Sequence, residues 1–198
     1  MKQITFKQYR TIDLSILCIL TAVFEAIAAM ASDRWFNLQA MTVSITVALT
    51  CITFMRWGLY ALLPSFIGAF VYCTVIGGSL QQYLIYCGGS TFVIIAYPLL
   101  QKLTKEKVRK DFLLKLVFAS SVYVSLNAGR WYFSLPFEFK LDTFITFLGT
   151  DILSLLFAVI VLAVAKNVEG LIEDQKSYLL RLERERKEEQ EANLNDPF

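Results

Sequence analysis

Apolar residues run along the chain in long blocks at about 12–31, 39–55, 57–76, 82–100, 112–128 and 143–165, separated by short polar breaks. Each block holds about 17–23 residues. An α-helix of ~20 residues crosses the ~30 Å hydrocarbon core of a bilayer. The pattern predicts an all-α polytopic membrane protein with six transmembrane helices. The second block is the most polar, carrying Thr42, Ser44, Thr46, Thr50 and Thr53. A helix of that composition needs other helices around it rather than lipid. Only Arg56 and Trp57 separate the second block from the third, which suits a tight helical hairpin with Trp at the interface.

The pattern changes after residue 166. Val168, Leu171, Ile172, Leu179 and Leu182 recur at helical spacing and give way to dense mixed charge. That predicts a cytoplasmic amphipathic helix running on from the sixth block. The chain then divides into an N-terminal cytoplasmic segment (1–11), a six-helix transmembrane domain (12–166) and a charged helical tail (167–198).

Composition agrees with this division. The chain is 56% hydrophobic and 18% charged, with a mean hydropathy of +0.53. A soluble domain has roughly 45–50% apolar and about 25% charged residues. The net charge of +2 matters less than where the cations lie, because Lys and Arg placement sets orientation. With the N-terminus inside, Lys2, Lys7, Arg10, Arg56, five Lys/Arg of the loop 101–111 and Lys166 are cytoplasmic. Arg34, Arg130 and Lys140 are then left outside, so ten cations face three. Both termini are expected in the cytoplasm of a multi-pass cell-membrane protein. Residues 29–31, Ala-Met-Ala, resemble a signal-peptide cleavage site, but the apolar run is too long for a typical signal and contains Asp13 and Glu25, so cleavage is not expected.

Several chemistries are excluded. Histidine is absent, which removes Ser-His and Cys-His nucleophiles, HExxH zinc sites and histidine haem ligation. Cys18, Cys51, Cys73 and Cys87 lie in or beside apolar blocks without CxxC spacing and read as small core residues. Gly-Gly-Ser occurs at 77–79 and 88–90, but no Lys-Ser/Thr follows, so neither is a phosphate loop. These glycines instead allow loop movement or close helix approach. No catalytic residues, cofactor, metal or nucleic-acid partner is expected.

Three constellations remain. Ala22, Ala26 and Ala29 stack along one face of the first block, and small residues let membrane helices approach closely. The third block offers Gly58, Ala61, Ser65, Gly68 and Ala69 as a second small face. Packing within the chain's own bundle accounts for both faces as well as a partner contact does. The outer loops and helix ends gather Trp35, Asn37, Gln82, Tyr86, Asn127, Arg130, Trp131 and Glu138. Gln82 and Tyr86 share a helix face. Aromatic walls with a few amides and one Arg suit a pocket for a small polar molecule, and equally an interfacial aromatic belt. Asp13, Glu25 and Asp151 fall within apolar blocks, where ionisable groups are functional candidates. Asp13 is near the cytoplasmic edge and can be hydrated there. Glu25 and Asp151 lie deeper, with Thr, Ser or Asn side chains as the expected partners.

The six-block layout, the ladder Ala-Val-Phe-Glu-Ala (22–26), and the stretches 54–73 and 81–89 resemble the substrate-binding S components of energy-coupling factor (ECF) transporters. The resemblance covers residues 12–166. It implies a non-enzymatic subunit that captures a vitamin or related micronutrient from outside the cell. It also implies partners, namely a membrane coupling subunit and two cytoplasmic ATPases, within the lipid bilayer. Ala22 and Ala26, with Ala29, are then the coupling-subunit contacts, and the outer residues named above form the substrate site. No substrate-specific signature of the riboflavin, thiamine, folate or biotin members is present. Two other readings compete: a six-span structural scaffold docking partners through its tail, and, less well supported, an enzyme acting on lipid-linked substrates.

Overall fold

A computed structural model describes residues 5–35, 41–103, 107–108, 111–137, 141–168, 170–181, 184–185 and 188. Every regular element among them is helical: α1 (Phe6–Trp35), α2 (Thr46–Trp57), α3 (Leu62–Val75), α4 (Leu80–Ser90), α5 (Tyr97–Leu103), α6 (Phe112–Ser134), α7 (Leu141–Thr150) and α8 (Ile152–Ala165). Short 3-10 turns, Gly58–Ala61 and Thr91–Ala96, join α2 to α3 and α4 to α5. Four stretches are long and apolar enough to cross a membrane: Phe6–Ser32, Thr46–Val75, Leu80–Leu103 and Phe112–Ser134. The pair α7 and α8, bent by 45° at Asp151, makes a fifth if it counts as one span.

The stretch Thr46–Val75 is not straight. Gly58 has φ 62°, a backbone conformation that glycine adopts without a side-chain clash, and α2 ends there. The chain then doubles back, bringing Gly68 of α3 against Thr46 of α2. A Cβ at position 68 would lie 1.9 Å from Thr46 Oγ1. The Arg56–Trp57 break is therefore a hairpin.

Local signals fix the other ends. α3 closes with paired bonds from Gly77 N to Thr74 O and from Gly78 N to Cys73 O, the Schellman arrangement. Ser79 and Gln82 then form a capping box at the start of α4. Asp111 caps α6 by accepting from Leu113 N.

The core lies between the helices, with Phe54, Met55, Phe118, Val122 and Leu162 buried together. The outer surface is apolar too. Ile12, Ile16, Ile19, Val23, Ile27 and Met30 form an exposed stripe along α1, and Ile152, Leu156, Ile160 and Val164 do the same on α8. Such stripes facing outward are at rest in hydrocarbon and not in water.

α1 packs along α3, α2 along α8, and α4 along α6. The last pair meets backbone to backbone. A Cβ on Gly129 would fall 2.2 Å from Gly89 O, and one on Gly89 would fall 2.6 Å from Arg130 N. Only glycine on both sides permits that distance.

Three expectations are corrected. The fifth helix does not stop near residue 128. It runs to Ser134, so Asn127, Arg130 and Trp131 are helical residues and not loop residues. Asp13 is not left to water: its carboxylate accepts from Arg56 Nε at 2.9 Å, Arg56 Nη2 at 2.6 Å and Trp57 Nε1 at 2.5 Å. The tail does not continue α8. After Ala165 the chain turns, and helix resumes at residue 175.

The turn after α8 is docked on the bundle. Arg56 Nη1 donates to the carbonyls of Gly170 and Leu171 at 2.8 and 3.2 Å. Gln175 Nε2 donates to Gly170 O, and Tyr9 Oη donates to Gln175 Oε1. Ile172 and Gln175 are buried. The start of α1, the α2–α3 hairpin and this turn therefore gather at one end of the bundle, called the Arg56 end below.

Candidate functional site

Polar side chains concentrate inside the opposite end. The segment 41–45, before α2, is non-helical, and non-helical backbone at membrane depth requires partners from the protein. It finds them at the α7–α8 bend, where the helical ladder is interrupted. Thr42 N donates to Thr150 O at 2.8 Å, and Ser44 N donates to Ser154 Oγ at 2.8 Å. Two irregular stretches thus satisfy each other.

In the first turn of α2 Ser44 Oγ accepts from Thr46 N at 3.2 Å, but the N-cap residue Ile45 brings no side-chain acceptor of its own. Glu25 of α1 supplies one. Its Oε2 accepts from Ser44 Oγ at 2.9 Å, Ile45 N at 2.9 Å, Thr46 N at 3.1 Å and Thr46 Oγ1 at 2.9 Å. A carboxylate there meets the unpaired N–H groups and the positive end of the helix dipole. Glu25 is 1% exposed.

Asp151 stands at the bend beside it. Its Oδ2 accepts from Arg130 Nη1 at 3.0 Å, and its Oδ1 accepts from Thr42 Oγ1 and from Ser154 Oγ. Arg130 also donates to Asn127 Oδ1 at 3.2 Å, and its guanidinium lies 4.7 Å from the centroid of the Tyr86 ring. Asn127 Nδ2 donates to Tyr123 O, which satisfies an otherwise costly buried amide. Tyr123 Oη in turn donates to Leu148 O.

Glu25, Asp151, Arg130, Tyr72, Tyr86 and the hydroxyls of Thr42, Ser44, Thr46, Ser65 and Ser90 line one cavity. Its room for the centre of a water-sized group is about 20 Å³, enough for one or two small polar groups. The Tyr72 and Tyr86 rings meet in a tilted pair, with centroids 5.1 Å apart at 35°. The cavity is thus polar, lined by charged side chains and by aromatic rings.

The expected outer residues divide. Arg130 and Tyr86 line the cavity, and Asn127 braces Arg130. Gln82 does not join Tyr86 there: it is half-buried and spent on the capping box of α4. Trp131 packs on Phe144, 5.8 Å between ring centroids, away from the cavity lining. Trp35 ends α1, while Asn37 and Glu138 lie outside the described residues. On the alanine ladder, Ala29 is 1% exposed inside the bundle, and Ala22 and Ala26 are half-buried.

Sequence reasoning did not bring Tyr72, Ser65 and Ser90 to the site. A signal existed for the polar wall, since Thr42, Ser44 and Thr46 crowd the least apolar block. The Arg130–Asp151 pair, 21 residues apart, was hidden by assigning the cation to a loop.

None of the protein-family models, curated proteins or solved structures compared with the chain matches it.

Proposed function

We propose that this multi-span helical membrane protein is a solute-binding subunit of the ECF S-component type. It captures a vitamin or related micronutrient from outside and passes it on with a coupling subunit and two ATPases. The observation that carries the reading is the cavity bounded by Glu25, Arg130 and Asp151. Buried ionisable groups within membrane helices are expensive and mark ligand paths, and a concave site with a few convergent polar groups is the usual form of a small-molecule site.

Topology supports the placement. The hairpin at Gly58 adds a reversal to the four or five apolar stretches, and on this reading, with the bent α7–α8 pair taken as one span, the chain passes through the bilayer six times. The basic loop 101–111 follows α5, whose Tyr97 stacks on Phe54 towards the Arg56 end. By the positive-inside rule that end faces the cytoplasm, with both termini. The cavity then faces outward. Ala22 and Ala26, only half-buried, remain as coupling-subunit contacts. The chain itself performs no chemistry.

The test is purification of the tagged full chain from its native membrane, with the proteins and small molecules released from it identified by mass spectrometry. The reading expects an integral-membrane partner, a pair of ATPases and a bound micronutrient. Recovery of cell-wall or division proteins instead, lost on deletion of the tail, would favour a scaffold.

A further inference from the structure

The cavity has an uneven charge balance. Arg130 is committed to Asp151 and Asn127 and covered by Tyr86, so that ion pair is internally neutral. Among the described residues lining the cavity, Glu25 is the one remaining charged side chain. Its partners are neutral hydroxyl and backbone N–H groups, and all four bonds end on Oε2. A carboxylate has about four acceptor positions spread over two oxygens, and Oε1 takes part in none of these bonds. A buried carboxylate without a counter-ion is strongly destabilising.

A cation that donates hydrogen bonds completes the site, whereas an anion would have to share Arg130 with Asp151. The aromatic walls narrow the choice further, because Tyr faces attract organic ammonium groups, and Tyr72 lines the same cavity as Glu25. Hydroxyls of Ser65 and Ser90 supply further acceptors. Room for the centre of a water-sized group, about 20 Å³, suits a –NH3+ head.

We propose that the cavity binds the ammonium head of a small primary amine, with Glu25 as its counter-ion and Tyr72 as its aromatic wall. The proposal rests on the reading of this cavity as a solute site and names the charge of the solute.

The test uses the full chain in detergent, with ethylammonium chloride, sodium chloride and sodium propionate at matched ionic strength, and reads the unfolding midpoint. Ethylammonium should raise the midpoint saturably by about 2–4 °C when bound well above its dissociation constant. Sodium chloride and propionate should not. Glu25→Gln should abolish the shift, measured against its own baseline, and Tyr72→Leu should reduce it. The Tyr72 variant keeps the test decisive if Glu25→Gln does not fold. An equal shift with sodium chloride overturns the proposal in favour of an inorganic cation site. A shift with propionate alone overturns it while leaving the solute-site reading standing. No shift with any probe overturns the proposal, and the solute-site reading is then decided by the mass spectrometry of the purified chain.

Discussion

Asp13 holds Arg56 with both carboxylate oxygens, and the same guanidinium reaches the carbonyls of Gly170 and Leu171. One side chain therefore joins the start of α1, the α2–α3 hairpin and the turn after α8. Removing one partner of a buried pair leaves the other uncompensated, at a cost of about 3–5 kcal/mol. Arg56→Ala and Asp13→Ala are each expected to lower the unfolding midpoint in detergent sharply. The double variant should lose less than the sum of the two. Additive losses would mean that the pair is not coupled.

The α4–α6 crossing makes a second prediction. Gly129→Ala places a methyl group where Gly89 O already lies, so the helices must part, costing about 1–3 kcal/mol. Gly149→Ala, with nothing within 4 Å of the new carbon, should be neutral or stabilising by up to about 1 kcal/mol. Thermal unfolding of the two variants side by side separates crowding from helix propensity.

Glu25 caps a helix that is not its own. Glu25→Ala leaves Ser44 Oγ and the N–H groups of Ile45 and Thr46 without this acceptor. Each buried donor left unsatisfied costs about 1–3 kcal/mol, so a loss of at least about 2 kcal/mol is expected. Ile45 and Thr46 amides should also exchange faster in hydrogen–deuterium experiments, and unchanged protection there would argue against the cap.

The hairpin can be tested by labelling. In a background with Cys18, Cys51, Cys73 and Cys87 replaced, Met41→Cys and Leu80→Cys should react with an impermeant thiol reagent from the same side of the membrane. Tyr60→Cys should react from the other. All three positions are exposed. Labelling of Met41→Cys and Leu80→Cys from opposite sides would mean that Thr46–Val75 crosses as one straight span.

The apolar blocks and the Arg56–Trp57 turn were legible in the sequence because hydrophobic run length and a polar break report directly on helices in a bilayer. What the sequence concealed depends on partners distant in the chain. Hydropathy registers Asn127 and Arg130 as the end of a span, since it cannot know that Asp151 and the Tyr86 ring wait across the bundle. Asp13 read as hydrated for the same reason. The tail misled differently: Val168, Leu171 and Ile172 have helical spacing, yet Gly170 sits among them with φ 72°, and the apolar side chains serve a docked turn. That glycine was a signal for the break. The candidate site was half legible, because the Ser/Thr run and the buried acids stood out, whereas the contribution of α3 through Ser65 and Tyr72 depended on how the hairpin folds back.

The contact between Gly89 and Gly129 also bears on how a cavity this small could admit anything. Tyr86 and Arg130 stand on the two helices that meet there, backbone against backbone, with no side chain between them to yield. That wall behaves as a fixed jaw. Entry to the space beside Glu25 therefore falls to the side where α1 and α3 carry small residues and the chain at 42–44 meets the α7–α8 bend through hydrogen bonds.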